Sequence, residues 1–257
     1  MKNLPLSLAL SAAVAVFGLT IPAYAADLKA VLAKPQQREQ AADFRVTGRL
    51  VRVDANGTRT SRAITLKAHW FSGVLRVVCE IASPAEARMH ILLEMRPNGQ
   101  TTIQIAKPGD KTPTVLPFER WTEGPLGTGF SYEDLLEAQY FWSGQMLLPE
   151  AKYGARECDV LKSTPGPADR THYAEIRSWL DKTIGYPVYV EKTRKDSGIV
   201  KEFTYLGLRQ NEGEWSAGQV EVKTRGETGS TLLIVDRGAA HANLELKDFS
   251  PEQLTHF

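Results

Sequence analysis

The sequence predicts a mainly β (α+β) protein: one large antiparallel sheet that curls over an apolar face, covered by short helices and loops. Three observations predict it. From Phe44 onward, apolar and polar residues alternate with period two in about eleven or twelve segments. Gly, Pro, Asn and Asp punctuate those segments as turns. The chain carries no internal repeat and no low-complexity tract that would suggest a solenoid or a linker. A sheet with that many strands does not stay flat, and the apolar face inside its curl must be covered.

The first 25 residues read as a secretory leader. Lys2 supplies a positive start, an apolar run extends from Leu4 to Leu19, and Ala23-Tyr24-Ala25 has the small-x-small form of a cleavage site before Ala26. No Cys lies near that site, so there is no lipobox, and the mature chain is expected to be soluble and exported. Residues 26–257 are expected to form a single domain with thirty basic and thirty acidic side chains. A neutral balance offers no footprint for nucleic acid and no general attraction to anionic lipid. Cys79 and Cys158 make an even pair in an exported chain, which leaves either a disulfide or two buried thiols.

Taken in order, residues 26–34 place Leu28, Val31 and Leu32 on one helical face, with Pro35 as the expected stop. Phe44–Val53 reads as a strand and Asp54-Ala55-Asn56-Gly57 as a hairpin turn, with Ala63–Trp70 returning. Val74–Ile81 puts Leu75, Val77, Cys79 and Ile81 on one face, and Arg88–Arg96 does the same with Met89, Ile91, Leu93 and Met95. Pro97-Asn98-Gly99 turns the chain into Thr101–Ala106. Lys107 to Tyr132 is rich in Pro and Gly but carries Phe118, Trp121 and Phe130, so it reads as a packed loop. Residues 131–138 are helical in character, with Ser131 as N-cap and Glu133 and Asp134 in the first turn. Strands are expected over Gln139–Leu148, Ala155–Ser163, His172–Leu180, Tyr186–Arg194, Val200–Arg209, Trp215–Lys223 and Ser230–Val235. A last short helix starts at Ser250 with Pro251 in its first position.

The chain lacks the G-x-S-x-G, S-x-x-K, H-E-x-x-H and Walker patterns, and its five histidines are scattered. Neither a metal site nor a cofactor is expected. Gly127-Thr128-Gly129 is too short for a phosphate cradle. Glu133 and Asp134 are adjacent, and neighbours on a helix point about 100° apart, which does not suit an acid–base pair. The aromatics are more informative: those around the central loop and on the later strands suit a concave apolar surface.

One stretch carries a family resemblance. LGTGFSYEDL, residues 126–135, resembles the G-x-F-S-Y-E-D-L signature of the outer-membrane lipoprotein-sorting-like proteins of the bacterial envelope. YGARECDVLKS, IRSWLDKTIGYPVYVEKT and GIVKEFTYLGL resemble, in order, further strands of that family, so the likeness spans about residues 40–250. It implies the LolA/LolB/RseB-like fold, a strongly curved antiparallel sheet forming an open half-barrel with a lid of short helices and loops. It also implies that acyl chains are bound in the hollow without catalysis.

Under that resemblance the chain is a soluble periplasmic carrier of lipid or acylated lipoprotein in outer-membrane lipoprotein sorting. Its protein partners would be an inner-membrane release complex or an outer-membrane acceptor. The alternative is an envelope sensor that binds lipid or lipoprotein and signals through a protein partner. Strand faces and motif positions select Trp70, Leu75, Val77, Ile91 and Leu93 for the groove, with Phe203, Tyr205, Trp179 and Tyr189 from later strands. The lid is expected to contribute Trp121, Phe130, Tyr132, Leu135 and Trp142. In GTGFSYEDL the glycines would reverse the chain and Phe130 and Leu135 would pack down, while Glu133 and Asp134 would cap the helix and solubilise its outer side.

Overall fold

The structure is a computed structural model that describes residues 27–97 and 99–257. The leader expected over residues 1–25 lies outside the described residues. Helix α1 spans Leu28–Gln40, capped by the Asp27 side chain on the Lys29 amide. It runs through Pro35 instead of stopping there. Proline removes one amide donor, and here tertiary packing outweighs that loss. Val31 and Pro35 are buried, and the Gln36 side chain donates to the Tyr140 carbonyl at 2.8 Å.

Two meanders follow. The first contains β1 (Asp43–Val53), β2 (Arg59–Phe71), β3 (Val74–Ile81), β4 (Met89–Met95), β5 (Thr101–Ala106) and the short edge strand β6 (Thr114–Val115). The second contains β7 (Gly144–Tyr153), β8 (Arg156–Thr164), β9 (Tyr173–Asp181), β10 (Pro187–Arg194) and β11 (Val200–Leu206). It continues through a separate small hairpin, β12 (Arg209–Asn211) and β13 (Glu214–Ser216), into β14 (Gln219–Thr224) and β15 (Ser230–Ala240). All but the small hairpin form one thirteen-stranded sheet in the order β6-β5-β4-β3-β2-β1-β15-β14-β11-β10-β9-β8-β7. The sheet does not close: β6 and β7 remain edges.

The seam between the meanders is the antiparallel pair β1–β15, in which Leu50 faces Leu233. The register shifts between Thr47 and Gly48. A Cβ on Gly48 would lie 2.1 Å from the Ile234 carbonyl oxygen, so only glycine permits this close approach. At the first hairpin, Gly57 takes φ +81° and the Asp54 carboxylate accepts from the amides of Asn56 and Thr58.

The inner face of the sheet carries the main core. Leu50, Ile64, Ile81, Ile91, Leu93 and Ile103 pack there against Trp121, Tyr132, Leu136 and Trp142 from the segment between β6 and β7. That segment is a chain of single 3-10 turns, among them Tyr132–Leu135 and Ala138–Phe141. The helix expected over 131–138 is therefore one turn long. Leu136 goes extended (φ −119°, ψ 145°), and β7 begins only at Gly144. On the opposite face Val78, Leu92 and Ala106 are covered by Leu244, Phe249 and Leu254, the last from the terminal helix α2 (Pro251–Thr255) capped by Ser250. Val31 of α1 packs with Tyr140, Leu161 and Leu180. Among the described residues no helix is long and apolar enough to cross a membrane.

Candidate functional site

GTGFSYEDL bridges the two meanders: on the first, Arg52 of β1 donates to the Gly127 carbonyl at 2.9 Å and the Tyr132 hydroxyl donates to the Met89 sulfur of β4 at 3.7 Å, and its other hydrogen bonds to the sheet are to the second. The Gly129 amide donates to the Thr231 hydroxyl on β15 at 2.8 Å, and a Cβ on Gly129 would meet that hydroxyl at 3.1 Å and Val222 at 3.2 Å. Phe130 then sets its ring edge-on to Phe203 of β11, 5.9 Å between centroids. Ser131 and Asp134 form a capping box: Asp134 accepts from the Ser131 amide at 2.8 Å and from its hydroxyl at 2.7 Å.

Asp134 does more than cap. Its carboxylate is fully buried and faces inward, contrary to the solubilising role expected of it. The Tyr173 hydroxyl donates to it at 2.7 Å and Lys192 at 3.1 Å, and Lys201 forms a further ion pair. Burial alone would push this carboxyl up; Lys201 and Lys192 outweigh it and hold Asp134 well below the usual carboxylate range. Burial draws the Lys201 ammonium below its ordinary value, with Asp134 opposing. Glu133 is also turned in. It accepts from the Thr171 hydroxyl and the His172 amide, both at 3.1 Å, and burial followed by the charge of Asp134 raises its carboxyl.

Beside this clasp the sheet leaves a hollow of about 330 Å³ that opens to the surface. Its deep wall is buried: Ala68, Leu75, Val77, Phe130 and Phe203, with Asp134 and Lys192 among them. Val46, Val220, Leu233 and Val235 from β1, β14 and β15 continue the lining outward. Exposed residues frame the mouth, among them Ala41, Arg209, Asn211, Glu214 and His241, with the β12–β13 hairpin as one lip.

A polar cluster sits on one wall. Arg38 pairs with Glu39 at 3.1 Å and also with Glu137, Tyr205 donates to Glu137 at 2.8 Å, and the Arg38 guanidinium lies 4.8 Å from the centre of the Tyr186 ring. Burial pushes the Glu39 carboxyl up from 4.5 to about 7, ahead of the opposing pull of Arg38. Between those two values the folded chain holds a proton there that the unfolded chain releases. The stabilisation is therefore complete below pH 4.5 and is lost as pH rises through about 7. Glu39→Gln removes this titration, so its melting temperature relative to wild type is expected to rise between pH 5 and pH 8. A gap that does not change with pH would show that Glu39 is not held in this way.

The expected site residues separate into three groups. Leu75, Val77, Phe130, Leu135, Phe203 and Tyr205 line the hollow. Ile91, Leu93, Trp121, Tyr132 and Trp142 belong to the solid inner core, and Trp70 packs against its margin, stacked on Phe141 at 5.6 Å. Trp179 and Tyr189 are misassigned. Their neighbours Ser178, Leu180, Val188 and Val190 are buried, whereas these two are half-buried directly opposite each other on β9 and β10. There they form an aromatic patch with Tyr153, 4.8 Å from Tyr189. Val190 and Lys192 are the inward residues of β10, so the expectation was one residue out of phase.

Cys79 and Cys158 are both free and buried, which leaves the thiol alternative. Burial pushes the Cys79 thiol up to about 12. Arg38, Glu39, Tyr186, Lys192 and the β12–β13 hairpin were not anticipated. Lysines at 192 and 201, where alternation calls for apolar residues, were the one available signal. Among the described residues no group of His, Cys, Asp and Glu is arranged to hold a metal ion.

A curved, unclosed antiparallel sheet with a lidded apolar hollow defines the class: the protein has the LolA-like fold. It is similar over 90% of its length to the whole of a domain from Vibrio parahaemolyticus provisionally named as an outer membrane lipoprotein-sorting protein, with a TM-score of 0.79 and 20% identity. A DUF1329 family protein from Desulfovibrio piger matches over 88% of this chain and 98% of its own, with a TM-score of 0.78 and 15% identity. A LolA superfamily protein from Nitrosomonas europaea matches over 88% and 99%, with a TM-score of 0.66 and 16% identity. No curated protein matches the sequence. A family described only as an uncharacterized protein matches residues 80–256, and the chain belongs to that family.

Proposed function

We propose that this protein is exported to the periplasm, after cleavage of residues 1–25, and there binds the acyl chain of a lipid or lipoprotein in its hollow without chemistry. The observation that carries this reading is the hollow itself, lined mostly by apolar side chains and open to the surface. Its volume lies at the low end of the roughly 300–1,000 Å³ of small-molecule sites, which favours one chain over a whole bilayer lipid. Burying each methylene contributes about 0.8 kcal/mol, so a groove without a reactive group holds an acyl chain reversibly. The acid pair most suggestive of catalysis supports the same reading, since Asp134 is occupied by five donors and Glu133 is tied to Thr171 and His172.

The likeness to proteins named for lipoprotein sorting favours a carrier in that process, with a release complex or an acceptor as its partners. A sensor that reads lipid and signals to a protein partner uses the same hollow. Native mass spectrometry with organic extraction of protein taken from a periplasm separates the two, because a sensor brings a stable protein partner and a carrier brings cargo alone.

Val220 is half-buried, lines the hollow and lies opposite both Tyr205 and Leu233. Val220→Trp is expected to weaken binding of a fluorescent fatty acid at least tenfold while the protein stays folded. Wild-type protein that refuses acyl ligands, or a folded variant that binds as wild type does, would overturn the reading.

A further inference from the structure

Two ammonium groups, Lys192 and Lys201, meet one carboxylate, Asp134. That carboxylate has no capacity left. One oxygen accepts from Tyr173 and Lys192, and the other from the Ser131 amide, the Ser131 hydroxyl and Lys201. The neighbouring acid, Glu133, acts on both lysines through its charge, but its hydrogen bonds go to Thr171 and His172 and it does not line the hollow.

Lys192 lines the hollow beside Phe130 and Phe203, with its side chain only 4% exposed. Among the described residues its ammonium makes one hydrogen bond, to Asp134, and otherwise rests over the rings of Phe203 (4.6 Å) and Tyr173 (5.5 Å). An ammonium carries three donors. A desolvated cation with unused donors at the end of an apolar channel is matched by an anion that brings its own acyl chain.

We infer that the hollow selects anionic amphiphiles, with a carboxylate or phosphate head seated on Lys192 and the chain running outward along Val220, Leu233 and Val235. This deepens the acyl-binding reading and rests on it. The opposite polarity, tail inward and head at the mouth, leaves the ammonium facing methylene groups. A neutral-headed lipid offers Lys192 no counter-charge. Lys201 does not line the hollow; it borders a polar cleft on the far side of the clasp, with Arg52 and Arg194. Lys192 is therefore the residue that meets the ligand.

The test compares three probes of equal chain length, palmitate, hexadecyl phosphate and hexadecanol, by calorimetric or displacement titration on the full mature protein. Wild type is expected to bind at least one of the anions at least tenfold tighter than the alcohol. The preferred anion tells a fatty-acid source from a phosphate-headed one. Lys192→Met is expected to bring the anion-to-alcohol ratio within threefold of unity. Loss of stability alone would weaken all three probes together and keep the ratio.

Equal affinities in wild type, a measurement that needs no variant, would overturn the inference and leave the acyl-binding reading intact. A ratio that survives in a folded Lys192→Met protein would overturn it as well. If none of the three probes binds, the acyl-binding reading falls first and takes this inference with it.

Discussion

Asp134→Asn is expected to destabilise the protein by about 3–5 kcal/mol in urea denaturation, the cost of breaking a buried ion pair from one side. The substitution keeps volume and shape and removes only the charge. It strands two ammonium groups, the Lys192 side chain 4% exposed and that of Lys201 10% exposed, with no carboxylate between them. It also places amide hydrogens where Tyr173, Ser131 and the lysines all donate. The lost stability should shrink at acid pH. Lys201 and Lys192 hold the folded Asp134 carboxyl below its ordinary value of 3.8, so its contribution is fully present above that value and falls away as pH drops toward the folded one.

Replacing all three groups with apolar residues, Asp134→Leu with Lys192→Met and Lys201→Met, is expected to recover most of the loss, because the desolvation of three charges disappears with their attraction. A single-variant loss under about 1 kcal/mol would mean that the clasp is solvated and that Asp134 does not hold it shut. The triple variant is informative for function too, since it keeps the hollow while removing the anion site.

The strand plan was legible because burial on one face of an antiparallel sheet imposes period two, and the turns carry their own chemistry. Asp54-Ala55-Asn56-Gly57 and Thr101–Ala106 appear where alternation and turn residues put them. Alternation fixes a face only up to phase, however. Trp179 and Tyr189 look like core residues by size, yet the smaller Ser178 and Val190 beside them point inward. Large aromatics tolerate half-burial when they cover one another, and Tyr153 and Tyr189 do so at 4.8 Å. The clasp was legible as a motif and misread in its polarity. Acids in a first turn normally face solvent, and the inward turn of Asp134 depends on lysines 58 and 67 positions later, a long-range pairing that no local pattern encodes. Pro35 misled for a similar reason, because helix α1 is held by packing against Tyr140, Leu161 and Leu180.

The division of the inner face into a solid core and a hollow could not be read from residue types, since both are lined by the same ones. It predicts that stability and binding can be separated. Trp121 is 1% exposed; its indole donates to the Leu116 carbonyl at 3.1 Å, and its ring meets Phe118 edge-on at 5.2 Å. Trp121→Ala removes that packing and leaves the carbonyl without its donor, for an expected loss of about 3–5 kcal/mol. Trp121 does not line the hollow, so the affinity of the remaining folded protein for an acyl probe is expected to stay within threefold of wild type. Urea denaturation gives the first quantity and titration well below the midpoint gives the second. If affinity fell tenfold or more with the protein still folded, the aromatic core under the lid and the hollow would be one binding surface, and the ligand would reach far deeper than Phe130 and Lys192. If stability hardly changed, the segment between β6 and β7 would be a loose cover and the hollow would extend beneath it. Unchanged affinity together with a large loss of stability assigns Trp121, Tyr132 and Trp142 to holding the half-barrel in shape, and leaves ligand recognition to Leu75, Val77, Phe130, Lys192, Phe203 and Val220.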